Sequence, residues 1–396
     1  MNSMRNHSVV VCGAGIVGMA LALDFARRGV RDVLLLGPAQ RAVQTGPDDY
    51  HLRVYAISAA SQQYLQSLGA WAMIPTSRVT RVDAMEVRGD AFGAVYLRAW
   101  QAARNELNWI VESAQIEQVL SQALRVYGVR WLEETLVEYG SGVGRTASGQ
   151  SIKAQLWVAA DGTSSTLRKQ AGIRFDEHKY DAVGVVGHLT CEKPHQGVAM
   201  QWFQNKGVLA LLPMPDTSRG HQVSMVWSIP RDQAKALLDL PAAQQVTMLS
   251  EQLGQISRSR LGQLELHSEI RGFDLLLASS DMIGKQVALV GDAAHRVHPL
   301  AGQGLNLGLG DARALARIVC EREPFFGAGD PTLLRRYRRA RAQDIMEMRI
   351  LTDGLKRLFD LDLPGAAWLR NAGLSLVDRI PPIKRLLIAA ATRSHG

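Results

Sequence analysis

Three apolar runs in this chain each end in a glycine turn, and two of those turns carry a carboxylate. Val287 to Val290 is four apolar residues in a row and reads as a buried strand. Gly291-Asp292 ends it sharply and leaves one acid at the strand's carboxyl end. Pro299, Gly302, Gln303, Gly304, Leu305 and Asn306 follow as a glycine-rich loop feeding a helix with Leu305, Leu309, Ala312, Leu315 and Ala316 on its apolar side. Glycines let a backbone approach a flat or anionic ligand closely, and a helix amino end offers unpaired N–H groups to negative charge. Leu156 to Ala160 is a second buried strand, closed by Asp161-Gly162 and followed by a helix through Leu167 to Ala171.

The third run, Val9 to Cys12, leads into Gly13-Ala14-Gly15-Ile16-Val17-Gly18, a helix from Met19 to Arg28 closing at Gly29, and a second strand at Val33 to Leu36. This is the βαβ dinucleotide fingerprint in its proper context. Gly13 serves the tight turn, Gly15 the close approach of a pyrophosphate, and Gly18 the packing of helix on strand. The acid expected about twenty residues on, where a ribose is held, is replaced by Gly37-Pro38, which leaves Gln40, Arg41 or water for that contact. Arg53, ahead of Val54 to Ser58, is either a surface charge or a cation over the phosphates.

The bulk composition excludes several classes. At 396 residues, 47% hydrophobic and 21% charged, the chain has ample material for a core and for two packed domains. Three cysteines without C-x-x-C spacing indicate neither a disulfide framework nor a zinc site and suit a reducing cytoplasm. A net charge of +8 comes with no nucleic-acid motif, so no nucleic-acid partner is expected. The positive amino end before Val9 to Leu23 superficially resembles a secretory signal. Three spaced glycines and Asp24 instead assign it to the mature fold, and no run is apolar enough for a membrane span.

Alternation predicts paired strands between 79 and 98. Ile110 to Ser113 is expected to open a helix capped by Ser113, with Ile116, Val119, Leu120 and Leu124 buried. From about 180 to 275 the character changes to β-rich runs, Val183 to Thr190, Gly197 to Phe203, Val208 to Met214 and Gln222 to Ile229, with Leu264 to Arg271 alternating as a half-buried strand. The expected fold class is α/β: a Rossmann-like domain with an inserted, mostly antiparallel β-sheet substrate domain and a helical C-terminal region. The expected boundaries are 1–179 (with a small substrate-domain segment near 79–110), 180–278 and 279–396. The basic run Arg335 to Arg341 reads as a solvated helix face, and Ile380 to Ile388 as a mixed basic and apolar end.

A nicotinamide enzyme with one such fingerprint has no need of a second acid-glycine turn and a late Gly-Asp strand in the same sheet. A longer cofactor does. FAD needs a grip at its pyrophosphate, one at its ribityl chain and one at its ring, which Gly13 to Gly18, Asp292 and the loop Pro299 to Asn306 supply. Amino-end N–H groups near the ring would stabilise its anionic reduced form. No serine-histidine-acid arrangement is recognisable, and His295 and His298 lack metal-pair spacing, so their expected role is structural and no metal is assigned. The flavin then carries the redox chemistry and the protein positions and shields it.

Gly13-Ala-Gly-Ile-Val-Gly18, Arg53 to Ser58, Ala160-Asp-Gly162, Gly291 to His295 and His298 to Asn306 resemble the flavin aromatic hydroxylases of the para-hydroxybenzoate hydroxylase type. Within them the chain is most similar to the UbiH/UbiF family of ubiquinone-biosynthesis hydroxylases. Leu209 to Met214, Val226-Trp227, Asp353 to Phe359, Arg370 to Asp378 and Pro381 to Leu387 carry that narrower match. The resemblance implies FAD and NAD(P)H as cofactors, O2 adding to the reduced flavin, and a flavin hydroperoxide passing a hydroxyl to a polyprenylated phenol. It implies that Gly13, Ala14, Gly15, Gly18, Arg53, Asp161, Gly162, Gly291, Asp292 and Gly302 to Asn306 (Gly302, Gln303, Gly304, Leu305, Asn306) bind the cofactor. It implies too that Pro299, Gly302 and Gln303 lie against the reacting ring. Gly37 and Ser113-Ala114 depart from the family pattern, which has an acid at the first and often Asn and Arg at the second. An oily substrate adds the expectation of peripheral contact with the inner membrane or a quinone-biosynthesis assembly. The alternatives are a hydroxylase of a small soluble aromatic acid and a non-catalytic prenyl or lipid carrier on the same fold.

Overall fold

The computed structural model describes residues 5–38, 46–89, 93–204, 207–296 and 303–360. The first layer forms where the sequence is most uniformly apolar. Strands Val287–Leu289, Ser151–Ala159, Arg5–Cys12, Val33–Leu36 and Arg130–Leu132 lie side by side in that order, all parallel. Val10, Val11, Leu34, Leu35 and Val158 are fully buried. Such continuous apolar strands belong to a sheet covered on both faces. Helix Ile16–Arg27 packs on Arg5–Cys12 and Val33–Leu36 and against helices Ser113–Val126 and Gly304–Cys320. The hairpin Leu136–Gly140/Val143–Thr146 folds over Trp157, whose indole N–H donates to the Gly142 carbonyl at 3.1 Å.

The chain leaves Arg5–Cys12 toward one side of the sheet through Val33–Leu36 and returns on the other side as Ser151–Ala159. That reversal is a topological switch point, where open α/β sheets hold ligands beyond the carboxyl ends of their strands. Because three adjacent strands run parallel, the turns after Cys12, Ala159 and Leu289 all emerge at this one edge.

The second sheet is mostly antiparallel, in the order His295–Arg296, Arg271–Ser280, Phe175–Cys191, Gly220–Pro230, Gly207–Thr217, Val198–Gln204, Ala84–Arg88, Ala94–Arg98. Successive side chains alternate between its faces. Val185, Leu189, Leu209, Leu211, Met225 and Trp227 point to one side, under helices Arg231–Leu238 and Ala242–Leu261. Val186, Val226, Ala210, Leu212 and Ala199 point to the other, into a cavity shared with the first sheet. A small sheet, Val54–Ser58, Asn108–Glu112 and Val79–Val82, closes that side, with Ala56, Ile110 and Val82 against Ala199, Leu212 and Met214.

Several expectations need correction. Residues 108–112 form the middle strand of the small sheet, not the opening of a helix, because hydrogen-bonding strands flank them on both sides. The helix starts at Ser113. Its cap position is Glu112, which makes no side-chain capping bond, and the Ser113 hydroxyl meets His51 Nδ1 at 3.1 Å instead. The stretch from 180 to 275 also contains two helices, the longer with Leu249 and Leu253 fully buried on the outer face of the sheet. Alternation after Leu264 persists as strand only to Leu266, and the chain re-enters the sheet at Arg271. Phe175–Cys191 is one strand, and its pairing with Arg271–Ser280 shifts register between Lys179 and Val183. The basic run sits on helix Pro331–Asp360 but is not uniformly solvated: Arg335, Arg338 and Arg339 are exposed, and Arg341 is buried. Gln40, Arg41, His298, Pro299, Gly302 and the features from 370 to 388 lie outside the described residues, as do the side chains of 353–359.

Candidate functional site

The first turn is shaped by backbone contact. Gly13 has φ +116°, and a Cβ there would fall 2.2 Å from the Ala160 carbonyl oxygen. A Cβ on Gly18 would fall 1.9 Å from the Gly13 carbonyl oxygen. Gly15 differs, since a Cβ there would meet nothing within 4 Å. Two glycines are thus demanded by the turn and the helix it starts. The third borders open space at the amino end of Ile16–Arg27, where unpaired N–H groups suit a diphosphate. The missing ribose acid has a local reason: a Cβ on Gly37 would lie 2.8 Å from the Ala14 nitrogen, so the strand end is packed directly on the first turn. The Gly37 carbonyl accepts the Trp131 indole N–H at 2.9 Å.

Asp161-Gly162 and Gly291-Asp292 flank that turn. One Asp161 oxygen accepts the Thr166 N–H at 2.9 Å, the first N–H of helix Thr166–Gln170, whose cap residue Ser165 accepts from the Arg168 N–H at 3.0 Å. Burial raises this carboxyl above its ordinary range. Asp292 lines the cavity and has no hydrogen-bond partner among the described residues. The buried Arg168 ties the two turns together, its guanidinium donating to the Thr163 carbonyl at 2.6 Å and to the Ala293 carbonyl at 2.9 Å.

Beneath Asp292 lies a buried charge network that sequence reading missed. Asp311, fully buried, accepts the Gly291 N–H at 2.9 Å and His295 Nε2 at 2.6 Å on one oxygen, and Arg341 Nε at 2.8 Å on the other. Burial pushes its carboxyl up, but His295 and Arg341 outweigh that and hold it below the usual carboxylate range. Arg341 also donates to the Leu307 carbonyl at 3.1 Å, and the Tyr337 hydroxyl to the Leu289 carbonyl at 2.8 Å. The strand end, its turn and two helices are therefore fixed around one carboxylate, and removing one partner of such a pair costs about 3–5 kcal/mol. The signal in the sequence is a lone acid on the apolar side of Gly304–Cys320. Its partner, thirty positions on, falls in what reads as a charge run.

The loop helix begins at Gly304, with Gly304 and Leu305 on the cavity wall and Gln303 buried at its cap. Asn306 holds the small sheet in place. Its Oδ1 accepts the Ser58 N–H at 2.9 Å, and its Nδ2 donates to the Ala56 carbonyl at 2.8 Å and to Gln303 Oε1 at 3.0 Å. Arg53 lies on the same wall with its guanidinium 5.1 Å from the Tyr55 ring centre, beside Glu117, whose carboxyl is raised by burial despite that cation. The segment leading to Arg53 is clamped by Glu112, which accepts the His51 N–H at 2.7 Å and pairs with Arg78 at 2.9 Å. His188, its pKa lowered by burial to about 4, donates a ring N–H to the His51 carbonyl at 3.1 Å.

The result is a cavity of about 1000 Å³, with Gly15, Gly162, Gly291, Asp292, Gly304 and Arg53 at one side and the inner face of the second sheet at the other. An open phosphate-sized approach at Gly15, an unpaired acceptor at Asp292 and a helix amino end at Gly304 match the three grips an FAD requires. Among the described residues no group of three or more His, Cys, Asp or Glu could hold a metal ion.

Comparison with known proteins agrees with this geometry. The chain matches the FAD binding domain family over residues 6–349. It is 33% identical to ubiquinone hydroxylase UbiL of Rhodospirillum rubrum, covering 97% of this chain and 89% of that protein. It is 28% identical to the human mitochondrial ubiquinone biosynthesis monooxygenase COQ6, covering 98% and 92%. Among solved structures, p-nitrophenol 4-monooxygenase PnpA from Pseudomonas putida superposes with a TM-score of 0.76 at 18% identity, over 99% of both chains, which speaks for the shared fold. A dinucleotide turn, a strand-end acid facing a cavity and near full-length kinship converge: the chain belongs to the FAD-dependent hydroxylases of the ubiquinone-biosynthesis family.

Proposed function

We propose that this enzyme hydroxylates the ring of a polyprenylated phenol on the way to ubiquinone, using NAD(P)H and O2. The observation that carries the substrate class is the cavity wall opposite the flavin grips. Met85, Val186, Ala199, Ala210, Leu212 and Val226 present an apolar face there. The arginines on the lining lie elsewhere or are engaged: Arg53 is beside the cofactor grips, Arg271 is paired with Glu269 at 2.8 Å and largely exposed, and Arg296 reaches toward Thr163 and Asp274. A small aromatic acid would need a buried cation on this wall, whereas a neutral phenol with a hydrocarbon tail gains from each apolar contact.

Gly13 to Gly18 and Arg53 would hold the diphosphate, Asp292 the ribityl hydroxyls, and Gly304 and Leu305 the ring. Bound FAD would take electrons from NAD(P)H and, with O2, supply the oxygen transferred. The chain's own part is to fix that ring at the carboxyl edge of the first sheet and to keep water from it with the second. We assign Asp161 to the support of this edge and Gly162, which lines the cavity, to the contact with the cofactor. Gln303, with Pro299 and Gly302, remains our assignment for the residues flanking the reacting ring. We assign 180–278, together with the segment near 79–110 whose strands join the same sheet, as the substrate-binding domain and the remainder to the cofactor, with peripheral contact at the inner membrane where such a substrate resides. No helix among the described residues is long and apolar enough to cross a membrane.

The test is to incubate the FAD-loaded enzyme with NAD(P)H, air and a short-chain prenylated phenol, and separately with hydroxybenzoates, following products by mass. Gain of one oxygen atom on the prenylated phenol alone is expected. Turnover of only the acids would overturn the substrate class.

A further inference from the structure

One polar side chain faces the apolar wall with an oxygen that has nothing to bond to. Asn108 is 6% exposed and lines the cavity, and its Oδ1 is buried without a hydrogen-bond partner. Its backbone is paired on both sides, with Ser58 and with Val82, so the strand does not need the side chain. Alternation along Asn108–Glu112 puts Asn108 on the same face as Ile110, against the inner face of the second sheet, where its neighbours on the lining include Met85, Ala199 and Leu212. Buried carboxamides in finished proteins are almost always hydrogen-bonded, and an unmet acceptor is a standing cost. A ligand that brings a donor removes that cost.

We infer that Asn108 is the substrate-recognition residue of this cavity, its carboxamide meeting the phenolic oxygen of the ring to be hydroxylated. This deepens the phenol reading above and rests on it. A carboxamide suits that task because it is uncharged. It accepts from a phenol O–H through Oδ1 and, turned over, donates to a ring oxygen through Nδ2, without a counter-ion in an apolar wall. Asn306 holds Ala56 and Ser58 on the adjoining strand, so the same small sheet that carries Asn108 is fixed to the loop helix of the flavin grips. The position of the phenolic oxygen relative to the ring of the cofactor is thereby set through the backbone.

The experiment uses the FAD-loaded full chain, wild type and Asn108→Leu, with Asn108→Ala as a second variant of smaller volume. A short-chain prenylated phenol and its O-methyl ether, which lacks the donor, are titrated against the flavin absorbance. The wild type should prefer the phenol by about tenfold or more, the value of one well-placed hydrogen bond. Both variants should bind phenol and ether alike, keep FAD, and unfold at a temperature no lower than the wild type when substrate is absent, since an unpaired acceptor has been removed. That last readout separates recognition from a structural role, which would lower the melting temperature. An undiminished preference for the phenol in the variants overturns the assignment, as does loss of FAD. If the wild type binds neither probe, the phenol reading falls and this inference with it. If it binds both and the variants change nothing, only the role of Asn108 falls.

Discussion

Two strand ends that look alike in the sequence do opposite things in the fold. Asp161-Gly162 and Gly291-Asp292 close adjacent parallel strands at the same edge. In the first the acid comes before the glycine. Gly162 takes the positive φ of +78° and one carboxylate oxygen folds back to accept the first N–H of the helix that follows, at Thr166. In the second the order is reversed. Gly291 takes the positive φ of +60°, its N–H is held from below by Asp311, and the acid after it faces the cavity with no partner among the described residues. The difference teaches that a strand-end acid is available to a ligand when another group supports the turn. Where the acid supports the turn itself, one of its oxygens is taken by the backbone and the other is buried.

The largest effect is expected where both turns meet the dinucleotide loop. Gly13→Ala places a Cβ 2.2 Å from the Ala160 carbonyl oxygen, next to Asp161, at a φ of +116°. Overlap and backbone strain together should cost at least about 3 kcal/mol. Urea unfolding of the cofactor-free protein should show the loss directly. An unchanged midpoint would mean that the first and second strand ends do not depend on each other.

Asp292→Ala should act on the cofactor alone. Losing a charged acceptor for the ribityl hydroxyls is worth about 1.5–3 kcal/mol, a rise of roughly tenfold to a hundredfold in the FAD dissociation constant. The unfolding midpoint of the cofactor-free chain should stay where it is, because Asp292 bonds to nothing else described. Equal losses in both measurements would place Asp292 beside Asp161 as a structural acid and erase the contrast.

How much of this was legible follows from the distance over which each residue acts. The buried strands and the glycine turns are local patterns, so Val9 to Cys12 and Gly13 to Gly18 declared themselves, and the switch-point edge followed from them. The helix Ala242–Leu261 carries Val246, Leu249, Leu253 and Ile256 at helical spacing. That signal was readable but is weak among polar neighbours and flanked by β-rich runs. Asp311 and Arg341, or Asn306 and Ser58, meet only after folding. Nothing near Arg341 distinguishes it from the exposed arginines around it. Asn306, grouped by motif with the ring-binding loop, has its carboxamide engaged by the backbone of a strand some 250 positions earlier. Asn108 stands just ahead of a run that the pattern assigns to a helix, and only the sheets around it show that it faces an apolar wall.

The smallest effect, and the sharpest version of the contrast, belongs to Asp161→Asn. The amide oxygen can still accept the Thr166 N–H, so that bond survives, while the buried charge is removed. At neutral pH the change should lie within about 1 kcal/mol of the wild type, the scale of a single hydrogen bond. The sign of its pH dependence is fixed by burial, which raises the folded-state pKa of Asp161 above the ordinary value of 3.8. Between those two values the folded chain holds a proton that the unfolded chain has released, so the wild-type carboxylate is a penalty at neutral pH that lifts as the pH falls toward 3.8. The stability of the Asn variant relative to wild type should therefore be most favourable at pH 7 and decline on acidification. Paired urea titrations of the cofactor-free proteins at pH 7 and at mildly acidic pH measure that difference with other carboxylates cancelling. A relative stability that climbs on acidification would mean the charged form is favoured in the fold, and Asp161 would then have to be reconsidered as an acid held ready for a ligand.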